Sequence, residues 1–399
     1  SIPPVRKVAG WDLASPSTSC ACTAGGFMYN PGKVKVQRFN WSFPQIDPVF
    51  RMRIFAVNQF QTMKRFYAIL LILCAGILAF SQNFDALKNM QKFEGLFDFY
   101  YNESNDQIYL VVEELDKEFL YVHSLSSGLG HNDLGLDRGQ LGGEALVFFR
   151  RAGSKLLLVQ PNLSYRAVSE NEPERKAVDQ AFARSVLYGF DILDQNNGKF
   201  LIDLKDLLYA DAHRVSERLS ARKQGTFNLD SRRSAIELSR TKAFPENVEF
   251  DVLLTYAGKP EGRLVREVTP EAHSITLNQH HSFVKLPDET YQPRAFHPQS
   301  GCIPMSYMDY ASPVYESIRK QFITRHRLEK KDPGAVLSEA VEPIIYYLDN
   351  GTPEPVRTAL LEGGRWWNEA FEAIGFKDAF RVEILPEGAD PMDVRYNMI

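Results

Sequence analysis

The sequence predicts a β-rich α+β fold followed by the opening of a second, α/β unit, and three observations carry that expectation. Short apolar runs bounded by turn-forming residues recur between about 97 and 285. Few segments in that span have a helical period. After residue 343 the pattern changes to strand, helix, strand, the order of a βαβ-type unit. A chain of 399 residues, 44% hydrophobic and 24% charged, has room for two or three domains. Those numbers argue against wholesale disorder, collagen-like repeats and a multi-span membrane protein, and four cysteines argue against a disulfide-rich miniprotein.

Charge is unevenly spread. Residues 1–81 hold nine basic and two acidic side chains, against 37 and 48 in residues 82–399. At the change of sign, Met63-Lys64-Arg65 precedes an uncharged run from Phe66 to Phe80 that closes with Ala79-Phe80-Ser81. A positive start, a short apolar stretch and small side chains before the cut are the three parts of a secretory signal peptide. The run falls short of the roughly 20 residues that span a bilayer as a helix. A signal anchor or a buried helix is the alternative. Cys74 follows the bulky Leu73, which argues against lipid attachment, so cleavage between Ser81 and Gln82 is expected, with export to the periplasm, outer envelope or exterior.

On that reading Met63 is the start, and residues 1–62 are an upstream extension without periodicity. Their Cys20-x-Cys22 lacks a second ligand pair for zinc. The exported chain then keeps one thiol, Cys302, so its stability has to come from core burial.

Strands are predicted at 108–112, 119–123, 145–149 and 155–159, with a glycine-dense loop from Ser127 to Glu144 between the second and third. A helix is predicted at 173–188, with Pro173 in its first turn and Gly189 as its stop. Strands at 190–194 and 200–203 flank Asn196-Asn197-Gly198, a hairpin signal. A helix at 204–222 and strands at 248–256, 263–268 and 274–285 complete a domain assigned to 82–310. The charged stretch 311–342 reads as a linker or a surface-wrapping segment. The second unit, 343–399, begins with strand 343–348, helix 353–374 and strand 379–385. Thr352 is the expected N-cap, with Pro353 at the first helical position. Val356, Leu360, Gly363, Trp367, Ala370 and Ile374 share one helical face, which predicts a stripe laid against a sheet.

Chemistry is harder to find. The glycine loop has neither Gly-Lys-Ser/Thr nor G-x-G-x-x-G between strand and helix, so neither nucleotide cradle fits. It reads as a structural omega-type loop or as a binding surface with Asp137, Arg138 and Glu144 as its charged groups. The eight histidines contain no His-Glu-x-x-His and no i, i+4 helical pair. His280 and His281 are adjacent on a predicted strand and therefore face opposite ways, as a solvated or hydrogen-bonded pair. G-x-S-x-G is absent, and Cys302 has no evident base partner. Glu113-Glu114 and Glu170, Glu172, Glu174 read as solvated faces, which leaves a carbohydrate-active enzyme a weak third reading. The basic run Arg325 to Lys331 sits in an acidic chain, so no nucleic-acid partner is expected.

Several segments carry a resemblance. FEGLFDFYY, GLGHNDLGLDRGQLGGE, LLVQPNLSYRA, QHHSFVKLPDETYQPRAFHP and the stretch EPIIYYLDNGTPEPVRTALLEGGRWWNEAFEAIGF resemble secreted bacterial zinc-dependent metalloproteases of the met-zincin type, over about 93–399. Those proteins carry a large N-terminal domain of uncharacterised function. The resemblance implies a zinc peptidase acting on peptide or protein substrates, with a zincin-like catalytic domain whose His-Glu-x-x-His helix would lie beyond Ile399. It implies that zinc belongs to the longer protein, that no residue of this chain is a metal ligand or catalytic group, and that helix 353–374 is a backing helix with Trp366 and Trp367 facing core or sheet. No membrane partner is expected after signal cleavage. The alternative is a non-enzymatic cell-envelope binding module.

Overall fold

A computed structural model describes Phe84 and residues 87–399; the extension 1–62, the signal segment 63–81 and the Ser81–Gln82 cleavage position lie outside the described residues. The chain enters through β1 (Gln91–Phe93), β2 (Phe99–Asn102), β3 (Gln107–Val112), β4 (Phe119–Ser127), β5 (Leu141–Ala152) and β6 (Lys155–Gln160). It leaves through β7 (Tyr165–Arg166) and helix α1 (Glu172–Ala181), then returns as β8 (Ser185–Asn196) and β9 (Lys199–Asp203). Two short helices, α2 (Lys205–Leu208) and α3 (Val215–Ala221), lead to β10 (Gly225–Leu229), β11 (Ala235–Ile236), β12 (Lys242–Ala243) and β13 (Asn247–Pro260). Helix α4 (Arg263–Val268) and β14 (Ser274–Val284) follow.

These strands make one thirteen-stranded sheet in the order β1-β2-β3-β9-β8-β6-β5-β4-β14-β13-β10, with β11 and β12 also paired to β13. Its ends approach one another. The Leu96 N–H donates to Phe244 O at 2.7 Å, beside β12. At the β2–β3 turn, Asp106 Oδ2 accepts from the Ile236 N–H of β11 and from the Tyr209 hydroxyl. The sheet is thereby rolled almost shut around an aromatic interior: Phe99 meets Phe250 edge-on at 5.1 Å, and Phe97 and Phe119 reach Phe283 at 6.0 and 5.1 Å. Each such ring, removed from water, contributes about 2–3 kcal/mol. Rolling a sheet this way also leaves little edge for stray pairing.

The β-rich α+β class holds, while several boundaries move. The glycine loop is shorter than expected, because Leu141–Glu144 belong to β5. What remains is a compact plug: Leu129 N–H bonds Leu136 O, and Leu129, Leu134 and Leu136 are buried in the core. Helix α1 stops at Ala181, and Val186 and Leu187 join β8, whose pairing with β6 outweighs their helical spacing. The hairpin at Asn197-Gly198 stands as expected, both residues having positive φ. The helix expected at 204–222 breaks at Asp211, whose carboxylate accepts the Val215 and Ser216 N–H groups and so starts α3 anew. The strand expected at 263–268 is the helix α4: Leu264, Val265 and Val268 recur at helical spacing toward the core, and Arg263 pairs with Glu267 one turn on.

Beyond the sheet, β15 (Pro304–Asp309) lies between β16 (Arg319–Ile323), antiparallel to it, and β7, parallel to it. The segment 311–342 is therefore partly strand, with β17 (Ser338–Glu339) near its end. Then come β18 (Ile344–Leu348), helices α5 (Val356–Arg365) and α6 (Trp367–Ala373), β19 (Phe376–Lys377), β20 (Phe380–Ile384) and β21 (Asn397–Met398). β20 and β21 flank β18, both parallel to it. The predicted helix 353–374 is thus two helices, capped at Pro355 without a side-chain bond from Thr352, and divided at Trp366. Its sheet-facing stripe is also displaced. Gly364 lies against Val382, Asn368 Oδ1 accepts the Phe380 N–H, and Phe371 stacks on Phe380 at 5.8 Å. The expected stripe is exposed instead, with Trp367 61% and Ile374 66% accessible, and Trp366, also expected to face core or sheet, is 73% accessible.

Candidate functional site

At the polar end of the rolled sheet, β14 puts Gln279 and His281 on its inner face. Period-two geometry sends His280 outward. His281 lies opposite His123 of β4 and Phe250 of β13. Inside, a connected floor forms. The Gln279 amide donates to Ala210 O at 2.9 Å and to His281 Nε2 at 3.0 Å, and its Oε1 accepts the His213 N–H. With Nε2 accepting, His281 Nδ1 faces the Tyr121 hydroxyl at 2.9 Å as a donor. Tyr256 donates to Asp211 Oδ1 at 2.9 Å.

His123 and His213 complete the floor edge-to-face, at 5.6 Å between ring centres. The Gly143 N–H donates to His123 Nε2. A Cβ on Gly142 would fall 2.1 Å from the His123 ring and 2.7 Å from His213 Nδ1, so two imidazoles occupy the space a side chain would need. Both ring nitrogens of His213, and Nδ1 of His123, are buried without a partner among the described residues.

Electrostatically these rings are bases held neutral. Burial, aided by Arg218, lowers the His213 pKa to about 4; burial, with His123 and His280 nearby, lowers His281 to about 3. Burial and the Arg218 and Arg214 guanidinium groups move His123 down as well. Burial pushes Tyr121 and Tyr188 up, which keeps their hydroxyls protonated. Above this floor opens a cleft of about 380 Å³ walled by Tyr121, His123, Tyr188, Asp211 and Arg214. It offers neutral hydrogen-bonding groups, the exposed Arg214 cation, and the carboxylates of Asp211 and Glu144.

The outer face of the same strand is ionic. His280 donates to Asp251 Oδ2 at 3.0 Å and to Glu249 Oε2 at 2.6 Å. Arg240 and Asn278 also bond Asp251, and Ser282 and Asn247 bond Glu249. Burial alone would lower the His280 pKa, but the two carboxylates outweigh it and hold it at about 9. Asp251 is buried, yet the bond from His280 leads the contacts that keep its carboxyl below the ordinary range. Asn247 carries this cluster to the C-terminal segment by donating to Met392 O and accepting the Val394 N–H.

The residues singled out in the sequence are mostly elsewhere. Asp137 and Arg138 sit in the plug, and only Glu144 reaches the cleft. Cys302 is a free, exposed thiol. Glu113 and Glu114 pair with Lys199 and Lys117 at the surface, and Arg327 and Lys331 pair with Asp288 and Glu339. His280 and His281 do face opposite ways, and both are hydrogen-bonded rather than solvated. Glu249, Asp251, Gln279, Tyr121 and Gly142 were missed. The available signal was a polar residue at every second place in otherwise apolar strands.

The resemblance places zinc in the longer protein, and three of the histidines gathered here are engaged with other partners. His280 spends both nitrogens on carboxylates, His281 on Tyr121 and Gln279, and His123 Nε2 on a backbone N–H. Among the described residues no three His, Cys, Asp or Glu side chains converge as ligands.

Fold and site together define a rolled, β-rich α+β domain with a histidine-floored cleft. Residues 139–331 match the family model described as "Domain of unknown function (DUF5117)". No curated protein and no solved structure matches the chain. The matched span includes β5 and β14 but omits β4, the strand between them, so the folded sheet is larger than the matched segment.

Proposed function

We propose that this chain is the N-terminal, non-catalytic portion of an exported zinc-dependent metalloprotease, with the β-rich domain positioning or selecting a polypeptide and residues 343–399 opening a zincin-like domain. The observation that supports this reading most is the parallel β18–α5–α6–β20 unit following the β-rich domain. Its helices cover the sheet with one stripe and leave Val356, Leu360, Trp367 and Ile374 in water. An apolar face of that kind suits a layer that further elements of a larger domain would bury. Zinc, when bound by the longer protein, would activate water for peptide hydrolysis; this chain's own residues would contribute binding and position only.

Peptidase assays on this chain and on the complete gene product, with and without a chelator, test the reading. Activity confined to the longer product and abolished by chelation is expected. A complete product without a zinc-binding helix, or without peptidase activity, sinks it. A non-enzymatic envelope binding module is then the reading left, supported by the open polar cleft over His123 and Tyr188.

A further inference from the structure

β5 is a long strand partnered along about half of each side. On the β4 side it is paired from Leu141 to Val147. On the β6 side pairing runs from Ala152 to Phe148 and stops, because β6 ends at Gln160 and Pro161 follows, with no N–H to extend the ladder. β8 ends its pairing at the same level, with Ser185 opposite Gln160. Residues 141–147 therefore present a free strand edge in mid-sheet among the described residues, and 141–144 are exposed. Unlike most sheet edges it carries no proline or lysine to discourage pairing.

Open space lies on both faces of that edge. A cleft of about 540 Å³ and the histidine-floored cleft of about 380 Å³ share Glu144, Ala145 and Gln160. Alternation along β5 divides them. Ala145 pairs with the inward Tyr121 and so faces the inner, polar cleft; Leu146 pairs with Leu120 and faces the outer one. The outer cleft is lined by Leu120, Leu146, Leu163 and Met305, with Glu144 at its rim. Glu144 makes no ion pair among the described residues.

We propose that residues 141–147 accept an extended polypeptide segment as an added antiparallel strand. Main-chain bonds to the β5 edge hold it, while alternate side chains enter the two clefts. Charge and polarity set its pattern: an apolar side chain opposite Leu146, a basic one opposite Glu144 two residues later, and hydrogen-bonding side chains between them facing Tyr188 and His123. This inference rests on strand pairing and stands independently of the peptidase reading.

The probe is a labelled peptide, acetyl-Thr-Leu-Thr-Lys-Thr-Leu-Thr-amide, titrated onto the full chain by fluorescence anisotropy, with hydrogen exchange read in parallel. Saturable binding with new protection at 141–147 is expected, lost when the edge-facing amides of the peptide are N-methylated. Glu144→Lys, an exposed substitution, should weaken the Lys peptide about three- to tenfold and favour its Glu counterpart instead. Absence of binding, or binding that survives N-methylation, overturns the proposal. So does protection, before peptide is added, of those 141–147 amides that point away from β4, which would mean that the edge is already filled, as by a second copy of the chain.

Discussion

His280 and His281 are neighbours in the chain, and the two faces of β14 make them chemical opposites. On the outer face, two buried carboxylates hold an imidazolium; on the inner face, burial among Tyr121, Gln279 and two further imidazoles holds the ring neutral. Both environments are buried, so burial alone does not decide protonation. What decides is whether burial brings opposite charge with it. The outer cluster is a brace that ties β13, β14 and, through Asn247, the segment 390–395 together. The inner floor, with unspent nitrogens under an open cleft, is the face equipped to meet a ligand.

The largest expected effect separates the faces by acid. His213 and His281 have pKa values lowered in the folded state, so their contribution is present above pH 6.5 and lost as pH falls toward about 4 and about 3. Each ring costs up to about 1.4 kcal/mol per pH unit across that window. Urea unfolding between pH 7 and 4.5 should show a steep loss that flattens in His281→Gln. An unchanged slope would mean that the ring is not buried neutral.

Asp251→Ala attacks the outer face at its most buried carboxylate. It strips Arg240, Asn278 and His280 of their shared acceptor, and removing one member of a buried ionic set costs about 3–5 kcal/mol. A loss below 1 kcal/mol by chemical denaturation would show that the cluster is solvated.

The alkaline limb has the opposite sign. The His280 pKa is raised, so the stability it brings is complete below pH 6.5 and disappears as pH rises through about 9. The decline amounts to at most about 3 kcal/mol. His280→Gln should be flat between pH 7.5 and 9.5 where the parent falls.

How much of this was legible follows from the same geometry. Strand runs such as 155–159 and 274–285 were readable because their apolar pattern and their turns agree. The opposition of His280 and His281 followed from a period of two. Three features were not readable. Glu249 and Asp251 find His280 only through the β13–β14 register, which pairs residues about 30 apart. Arg263–Val268 reads as strand by composition and becomes helix because Leu264, Val265 and Val268 must all reach the core. The stripe around Trp367 requires one straight helix, and the division at Trp366 lets the adjacent stripe, with Gly364, Asn368 and Phe371, meet β20 instead.

Gly142 gives the finest test of the inner face. Its φ is not in the left-handed region, so an alanine meets no backbone objection there. The obstacle is spatial: the new methyl would fall 2.1 Å from His123 Cε1 and 2.7 Å from His213 Nδ1. Overpacking of this size costs about 1–3 kcal/mol. That cost should depend on His123, because its ring is the nearer obstacle. In a His123→Ala background the Gly142→Ala penalty should fall by at least half in a double-mutant cycle. If the penalty is the same in both backgrounds, the glycine is not there to admit the imidazole, and His123 is a bystander at the cleft rather than part of its floor.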